Sequence, residues 1–535
     1  MAYISLVVTI DNTNLGTTNG LWKAPTVAAW EHGGSFPIDS GGILYGDLYG
    51  HLARLIPDSL LQYGTPAPDV TFRKMAILNA LFGGLASGLV FVLAFRFTNS
   101  RWISAVISIV HAGAGFVLLN SINSEDIVPA YTCFLAATVC FFEFLHLGGT
   151  LWFSLSALLL ALATLLHWTV MAPALAAIGA VYALLLMERR VYALIGAAWL
   201  FLFSVCAQVV VLAVLPRQHI PIWVVLHPAK ADAAGWVGLF REKFWYLLIG
   251  TGNYLSGANN LTDYRIAFEN RSILHSMILS WAVLVIALAA CAVALARRRG
   301  SPGLRLLAAF AIALFLAGEA GAVYSQPQDP QMQIEPMFAT ISGLVVLGAR
   351  KLGRTGVLWR GSIVAALGVL AAANGEWNIH LMRESQGLDS RSLDAIKELD
   401  SLFPRKSTVI VCHGFEGWTA WQYNFLWRGD SEGWLQRSFH LARPFTTNRG
   451  ISGVDAAAMM SKQIDAAFAK GLRVVAAAMW TTTADESVGT FTTVTDEADA
   501  RIYVNTLRKK YRTGARWNTK LGPFVDLLPM EPAPS

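Results

Sequence analysis

MAPALAAIGAVYALLLMERRVYALIGAAWLFLFSVCAQVVVLAV, residues 171–214, contains two long apolar runs that are separated only by Glu188, Arg189 and Arg190. Each run has close to the roughly 20 apolar residues that a helix needs to cross a lipid bilayer. Because the charged residues fall in the short connection, the stretch predicts two membrane-spanning helices joined by a tight turn. The same pattern recurs along most of the chain.

The composition of the whole chain agrees with this pattern. Of its 535 residues, 55% are hydrophobic and only 14% are charged, whereas soluble globular proteins carry about a quarter of charged residues. A soluble enzyme and a disordered chain are therefore excluded. The net charge of +6 comes with no basic helix and no repeat of basic and aromatic residues, so we expect no nucleic-acid partner.

Ten apolar runs are candidates for membrane spans, and the short run 337–349 borrows residues from its flanks. The ten runs are 74–95, 102–119, 129–147, 151–168, 170–187, 191–215, 274–296, 304–323, 337–349 and 357–374. The first residues, MAYISLVVTI, reach only about 15 Å as a helix, so we interpret them as the end of a further span that begins upstream of Met1. The sequence thus predicts a polytopic α-helical membrane protein with about 11 transmembrane helices.

Basic residues predict the orientation of the chain, because they concentrate in alternate connections. These clusters are Arg96 and Arg101; Arg189 and Arg190; Arg297, Arg298, Arg299 and Arg305; and Arg350, Lys351, Arg354 and Arg360. The positive-inside rule places such connections in the cytoplasm. We therefore expect a multi-pass protein, typical of a bacterial inner membrane, whose other connections and C-terminal part are extracytoplasmic.

The chain after residue 375 has the composition of a soluble domain. The segments 407–412 and 473–480 have the pattern of buried strands, and 453–470 and 495–511 have helical periodicity. We predict a transmembrane domain, 1–375, and a C-terminal soluble α/β domain, 376–535. Its single cysteine, Cys412, leaves it no internal disulfide. The sequence HGFE, 413–416, follows a strand and is either a ligand loop or a turn.

Asp11 is the first candidate for chemistry, since it lies where the N-terminal apolar segment ends. A carboxylate at this position is either a general base that accepts a proton from an attacking hydroxyl or a helix-boundary residue. The loop that follows contains GGILYGDLYGHLARLI, residues 41–56, whose apolar residues predict an amphipathic helix in the membrane interface.

With this arrangement the sequence resembles the C-type (GT-C) glycosyltransferases, and within them the protein O-mannosyltransferases and the lipid A aminoarabinose transferases. The resemblance lies in the acidic residue after the first span, the LYGDLYGHL helix in the first outer loop, and the number and order of the spans. It implies a GT-C fold, a polyprenyl-phosphate sugar donor, and Asp11 as the catalytic base. The HPP or PPL motif that precedes the tyrosine in those families is replaced here by DSGG, 39–42.

Glu125 and Asp126 lie in the second outer loop, NSINSEDIVPAY. In the resembled families an acidic residue of this loop faces the first one across the cavity. Two carboxylates there would bind a divalent cation or orient an acceptor hydroxyl. Alternatively, these acids stabilise the start of the helix that follows.

His167 ends another span, as part of LLHWTV. An ionisable residue within a membrane segment is a candidate functional residue, but a His–Trp pair also serves as an interface anchor.

The last outer loop before the tail, SQPQDPQMQIEPMF, 325–338, is polar and rich in proline. Its amides and carboxylates are suited to binding sugar hydroxyls, and the candidates are Gln326, Gln328, Asp329, Gln331, Gln333 and Glu335. The loop contains no cation for a lipid phosphate. Lys243, Arg265 and Arg271 in the loop 216–273, beside the apolar face of GLFREKFWYLLIG, are the candidates for that role.

The resulting hypothesis is a membrane glycosyltransferase that transfers a sugar, with inversion, from a polyprenyl-phosphate donor to a glycan, lipid or protein acceptor on the extracytoplasmic face. A lipid or glycan transporter or flippase is one alternative; it predicts paired repeats and midplane charges, neither of which the sequence contains. A polymerase or ligase that uses diphosphate-linked glycans is another. No cofactor is required, although a divalent cation is compatible with the acidic positions.

Overall fold

The computed structural model of the protein describes residues 3–4, 6, 27, 31, 44–58, 68–122, 127–214, 247–256, 271–297, 301–324, 333–349, 356–404, 407–412, 438–440, 451–477, 480, 497–520 and 522–530. These residues belong to two compact units, and the chain passes from the first unit to the second after residue 386.

In the part of the first unit that the structure describes, the regular elements are helices. They are α1 (Tyr45–Ala53), α2 (Pro68–Thr98), α3 (Arg101–Gly113), α4 (Gly115–Ile122), α5 (Ile127–Leu147), α6 (Thr150–Leu166), α7 (Met171–Glu188), α8 (Val191–Val214), α9 (Arg271–Ala296), α10 (Pro302–Tyr324), α11 (Ile334–Gly348) and the first part of α12 (Gly356–Leu402). Nine of the ten predicted spans each coincide with a helix in this series, and 102–119 falls on the two helices α3 and α4. Helices suit this setting, because a bilayer requires every backbone group to be bonded within its own segment.

Six helices in the described part of the chain are long and apolar enough to cross a membrane, or seven if the bent pair α3–α4 is a single span. The helices α6 and α11 are apolar but shorter. A polytopic helical membrane protein is therefore confirmed, whereas the predicted total of about 11 spans stays a prediction.

The predicted span 102–119 is not one straight helix. The chain bends by 62° between α3 and α4, because Ala114 adopts an extended conformation with φ −66° and ψ 140°. The apolar sequence continues through the bend without a proline, so the hydropathy pattern contained no signal for it. This interruption exposes backbone groups that must be bonded elsewhere.

Helix α12 also differs from the prediction. The last span was expected to end near residue 374, but the helix continues without interruption to Leu402 and has 47 residues. Leu399 and Phe403 at its end pack in the core of the second unit, with Ile410, Val475 and Phe524.

The second unit contains a five-stranded sheet in the order β2-β1-β3-β5-β4. Its elements are β1 (Thr408–Cys412), β2 (Ser438–His440), α13 (Gly453–Ala469), β3 (Arg473–Ala477), α14 (Glu497–Lys510), β4 (Tyr511–Thr519) and β5 (Gly522–Pro529). The strands β1, β2 and β3 are parallel, while β5 is antiparallel to both β3 and β4. The predicted α/β class of the tail is confirmed, with both predicted helices and both predicted strands present.

Candidate functional site

The two ends of the helical unit differ in their charged and polar side chains. One end, called the basic end here, carries Arg96, Arg101, Arg189, Arg190 and Arg297. There, Arg96 forms an ion pair with Glu143 of α5 at 3.2 Å. The opposite end, called the polar end, collects buried side chains from α1, α2, α10, α11 and the segment 247–256.

Helix α1 is fixed to the polar end by its tyrosines. Tyr45 and Tyr49 stack with ring centroids 4.1 Å apart, and both are fully buried. The Tyr49 hydroxyl donates to the side chain of Asn79 on α2, and the Leu44 amide donates to the Leu165 carbonyl at 3.2 Å. The predicted amphipathic helix therefore exists, but it packs on the protein through its tyrosine face.

The leucine face of α1 lies on the opposite side of the helix and is partly exposed. Leu48 and Leu52 are half-buried, and Leu55, just after the helix, is 75% exposed. An apolar face of this kind suits the membrane interface. The two faces explain why the segment has helical periodicity in both its aromatic and its aliphatic residues.

Two carboxyl groups lie side by side at the polar end. The Glu335 side chain packs against Gly318 of α10 and interacts electrostatically with Glu319, the next residue. The Thr251 hydroxyl contacts the two carboxyl oxygens of Glu319 at 3.1 and 2.9 Å. Since two ionised carboxylates repel each other, the pair attracts a proton, a cation or a hydroxyl donor.

Glu335 is the more enclosed of the two acids, with 4% of its surface exposed. Among the residues that the structure describes, its Oε2 atom has no hydrogen-bond partner. The neighbouring Gln333 donates from Nε2 to the Gly250 carbonyl at 2.9 Å, which leaves its Oε1 atom as an acceptor. A buried oxygen without a partner is costly, so this position favours a proton or a hydrogen-bond donor beside Oε2.

The segment 247–256 holds the site together. Residues 247–252 are helical and 253–255 form a turn. The carbonyls of Tyr254 and Leu255 accept the amides of Phe116 and Gly115, at 3.0 and 2.8 Å, which satisfies backbone groups freed by the bend before α4. The same segment carries Thr251, so the segment 247–256 contacts both the bend before α4 and the carboxyl pair.

Two asparagines of α12 also form hydrogen bonds to the segment 247–256. The Nδ2 atom of Asn374 lies 3.0 Å from the Gly113 carbonyl and 2.6 Å from the Leu255 carbonyl. The Nδ2 atom of Asn378 lies 2.9 and 3.1 Å from the same two oxygens. Both side chains are buried. The last helix of the unit is thereby connected to the segment that carries Thr251.

Lys74 is a buried cation at the polar end that sequence reasoning missed. Its side chain is 3% exposed and forms ion pairs with Glu31 and Asp58. Two acids already neutralise this lysine, so it serves first to fix the start of α2. A cation within an apolar run could have been detected from its cost in a membrane segment.

The described residues include four of the predicted site residues, among them Gln333, whose bond to the Gly250 carbonyl is given above. Glu335 belongs to the buried carboxyl pair. His167 is buried at the end of α6, with Nδ1 2.6 Å from the Thr169 hydroxyl. Arg271 begins α9 and is exposed. The other candidates lie outside the described residues: Asp11, Glu125, Asp126, Lys243, Arg265, Gln326, Gln328, Asp329, Gln331 and the 413–416 loop.

Glu319 and Thr251 were not among the predicted site residues. Glu319 lies in an apolar helix and 16 positions before Glu335, so no local spacing connects the two. Within the described ranges, no group of three or more His, Cys, Asp or Glu side chains is placed to hold a metal ion.

The fold and these side chains define a polytopic helical membrane protein with a buried polar cluster at one end and a small α/β unit. Among the solved structures that resemble it are two of ArnT from Cupriavidus metallidurans: one bound to undecaprenyl phosphate, with a TM-score of 0.57, and one in the apo state, with a TM-score of 0.56. In both comparisons the identity is 12%, and the likeness covers 98% of this chain and 96% of the other. No family model matches the sequence, and no curated protein matches it.

The GT-C fold predicted from the sequence is confirmed by this likeness. At 12% identity the comparison establishes the fold alone, and the activity has to be argued from the site.

Proposed function

We propose that the protein is a membrane glycosyltransferase that transfers a sugar from a polyprenyl-phosphate-linked donor to an acceptor hydroxyl. The observation that carries this proposal is the likeness over 98% of the chain to a protein whose solved structure contains undecaprenyl phosphate. The buried polar end adds support, because the chemistry of sugars needs hydrogen-bonding side chains that are protected from water.

In the proposed reaction Asp11 accepts the proton of the acceptor hydroxyl on the extracytoplasmic face. The hydroxyl oxygen forms a new bond to the anomeric carbon, and the bond between that carbon and the phosphate oxygen breaks. The configuration is inverted, and the polyprenyl phosphate leaves with the bonding electrons. No nucleotide is involved. Glu125 or Asp126 is the second carboxylate of the reaction and the place for a divalent cation if one is needed.

Glu335 binds the donor sugar in this proposal, together with Gln328, Asp329 and Gln331 of the same polar loop. Its unpartnered Oε2 atom accepts a sugar hydroxyl, and Glu319 is the neighbouring acid that the sequence analysis did not include. The cations for the lipid phosphate are Lys243, Arg265 and Arg271. Polyprenyl chains are apolar, and the leucine face of α1 offers them a surface beside the polar end.

The test is Asp11→Asn, which keeps the size of the side chain and removes the proton acceptor. General bases contribute about 10²- to 10⁴-fold, so sugar transfer from a synthetic polyprenyl-phosphate donor should fall by at least that order. Glu125→Gln and Asp126→Asn are the matched controls in the second loop. The purified variants should keep the thermal unfolding temperature of the wild type.

Transfer at the wild-type rate by the Asp11→Asn protein would remove Asp11 as the base. Loss in the Asp126→Asn protein alone would move the base to the second loop. If the wild-type protein moves the lipid across vesicles without forming a glycosidic product, the transporter alternative is correct. Use of a diphosphate-linked donor only would favour the polymerase or ligase.

A further inference from the structure

Helix α8 is the least enclosed of the six helices in the described chain that are long and apolar enough to cross a membrane. In its most apolar stretch 17% of the residues are buried, whereas this share is 28 to 72% in the other five. Its buried residues are Trp199, Phe203 and Val211, and the Trp199 indole donates to the Ser156 hydroxyl of α6 at 2.8 Å. One side of α8 therefore packs on the helical unit, and the rest of its surface faces outward.

Gln208 places an amide on the outward side of this helix. Its side chain is exposed, and it lies five residues before the end of the apolar span at Ala213. In the other five spans, every Asn, His or charged side chain is buried or lies within four residues of a span end. Gln208 is thus an exposed polar side chain within a span, where the surroundings are hydrocarbon.

The nearer headgroup layer does not relieve this amide. A helix rises about 1.5 Å per residue, so a hydrocarbon core of about 30 Å centred on the span would place the Gln208 Cα atom roughly 6 Å below its surface. The nearer surface lies beyond the C-terminal end of α8, whereas helical side chains lean toward the N-terminal end. The amide is therefore directed deeper into the membrane, where a polar group without a hydrogen bond is costly.

Gln208 also belongs to a regular seam on α8. The seam consists of five residues that are spaced alternately by three and four positions: Leu194, Ala197, Phe201, Ser204 and Gln208. Ser204 is half-buried and the other four are exposed. This spacing is typical of two helices that pack along their length at about 20°. Large and small side chains alternate along the seam, and small residues allow the backbones of membrane helices to approach closely.

We propose that this seam joins two copies of the protein, with their α8 helices parallel and the two Gln208 amides hydrogen-bonded to each other. All copies insert into the membrane in the same direction, so a two-fold axis along the membrane normal places each seam residue opposite itself. An amide both donates and accepts, so two Gln208 side chains at the same depth form a reciprocal pair. A single polar residue in such a seam fixes the register of the helices.

Other occupants fit this surface less well. A lipid chain offers the amide neither a donor nor an acceptor. A helix of a different protein would need a matching polar group at the same depth and a matching order of large and small residues, both of which a second copy supplies by symmetry. Pairing of this kind does not depend on the chemistry at the polar end.

The experiment counts the copies of the full-length protein in vesicles of phosphatidylcholine and phosphatidylglycerol. Protein with a fluorescent label on a C-terminal tag is reconstituted at decreasing protein-to-lipid ratios, and single-molecule photobleaching steps give the dimer fraction. We expect wild-type dimers that dissociate on dilution. Gln208→Leu should raise the dissociation constant about tenfold through loss of the amide pair, and Gln208→Asn, which keeps an amide, should lose less.

Val209 provides the matched control. It is 59% exposed and lies about 100° around the helix from Gln208, so Val209→Ala should associate like the wild type. On oxidation in the same vesicles, Gln208→Cys should form a disulfide between two chains, while Val209→Cys should stay at the level that the native cysteines give in the wild type.

A wild-type protein that is monomeric at every ratio overturns the proposal, as does equal association of the wild type and Gln208→Leu. If Gln208 served a contact within its own chain, Gln208→Leu would lower the thermal unfolding temperature and leave the number of copies unchanged. That result would also contradict the pairing of two α8 helices.

Discussion

Glu335 owes its position to a glycine on the neighbouring helix. A Cβ atom added at Gly318 would lie 2.1 Å from Glu335 Cγ and 2.5 Å from Cδ. Both distances are far below a van der Waals contact, so the carboxyl group must move if Gly318 gains a side chain. The place of this acid is thus determined by a residue that has no functional group of its own.

We expect Gly318→Ala to lower sugar transfer at least tenfold although every carboxylate remains, since a displacement near 1 Å can cost about 10²-fold. Gly321→Ala is the matched control on the same helix, because nothing lies within 4 Å of its added Cβ. Initial rates of transfer and thermal unfolding of both variants would be measured together. Full activity of the Gly318→Ala protein would mean that the position of Glu335 has no bearing on the reaction.

At this scale the sequence allowed a partial prediction of the site. Glu335 could be predicted because it lies in a polar, proline-rich connection between two apolar runs. Glu319 and Thr251 could not, because their proximity arises only when three distant segments pack. Lys74 was overlooked although a lysine in an apolar run is unusual. Its two acidic partners, Glu31 and Asp58, come from other segments, so the sequence alone does not show that the charge is neutralised.

Among the elements, α9 and α11 approach each other closely through small residues. A Cβ added at Gly343 would lie 2.4 Å from the Cα atom of Ala287 and 2.5 Å from its carbonyl oxygen. Backbone atoms cannot turn away, so the helices would have to separate. Small residues at such crossings allow the close packing that holds membrane helices together.

Gly343→Ala should therefore destabilise the helical unit by about 1–3 kcal/mol, the usual cost of overpacking. The midpoint of thermal unfolding in detergent would fall. Gly368→Ala in α12 has open space around the new methyl group and should leave the midpoint unchanged or raise it slightly, given the better helix propensity of alanine. An unchanged midpoint in both variants would show that the α9–α11 crossing adapts without cost.

Most element boundaries followed changes in composition along the sequence, and two departed from the prediction. Charged, polar or glycine residues at the ends of the apolar runs allowed the helices α5 to α10 to be placed within a few residues. The bend at Ala114 lies within a uniform apolar run, and α12 continues through a change from apolar to polar residues. The strand β4, YRTGARWNT, was missed because its side chains are mostly exposed and show no alternation.

At the scale of the whole molecule, the orientation in the membrane follows from the arginines of the basic end. A reporter fused after Ser535 should give an extracytoplasmic signal, because the last basic connection precedes α12 and the positive-inside rule keeps it in the cytoplasm. A matched fusion after Arg190 should report the cytoplasm. A cytoplasmic signal from the C-terminal fusion would reverse every assignment of inner and outer connections.

Residues 247–256 limit the ways in which related sequences can diverge. Several hydrogen bonds of this segment use its backbone carbonyls: Leu248 accepts Trp281 Nε1, Gly250 accepts Gln333, and Tyr254 and Leu255 accept amides of α4. Substitutions leave such backbone oxygens in place. One inserted residue, in contrast, turns a helix by about 100°, so Thr251 and the Leu255 carbonyl would no longer both face their present partners. Evolutionary drift here should keep the residue count constant even where side chains that make no contact are replaced, a form of conservation that percentage identity does not record.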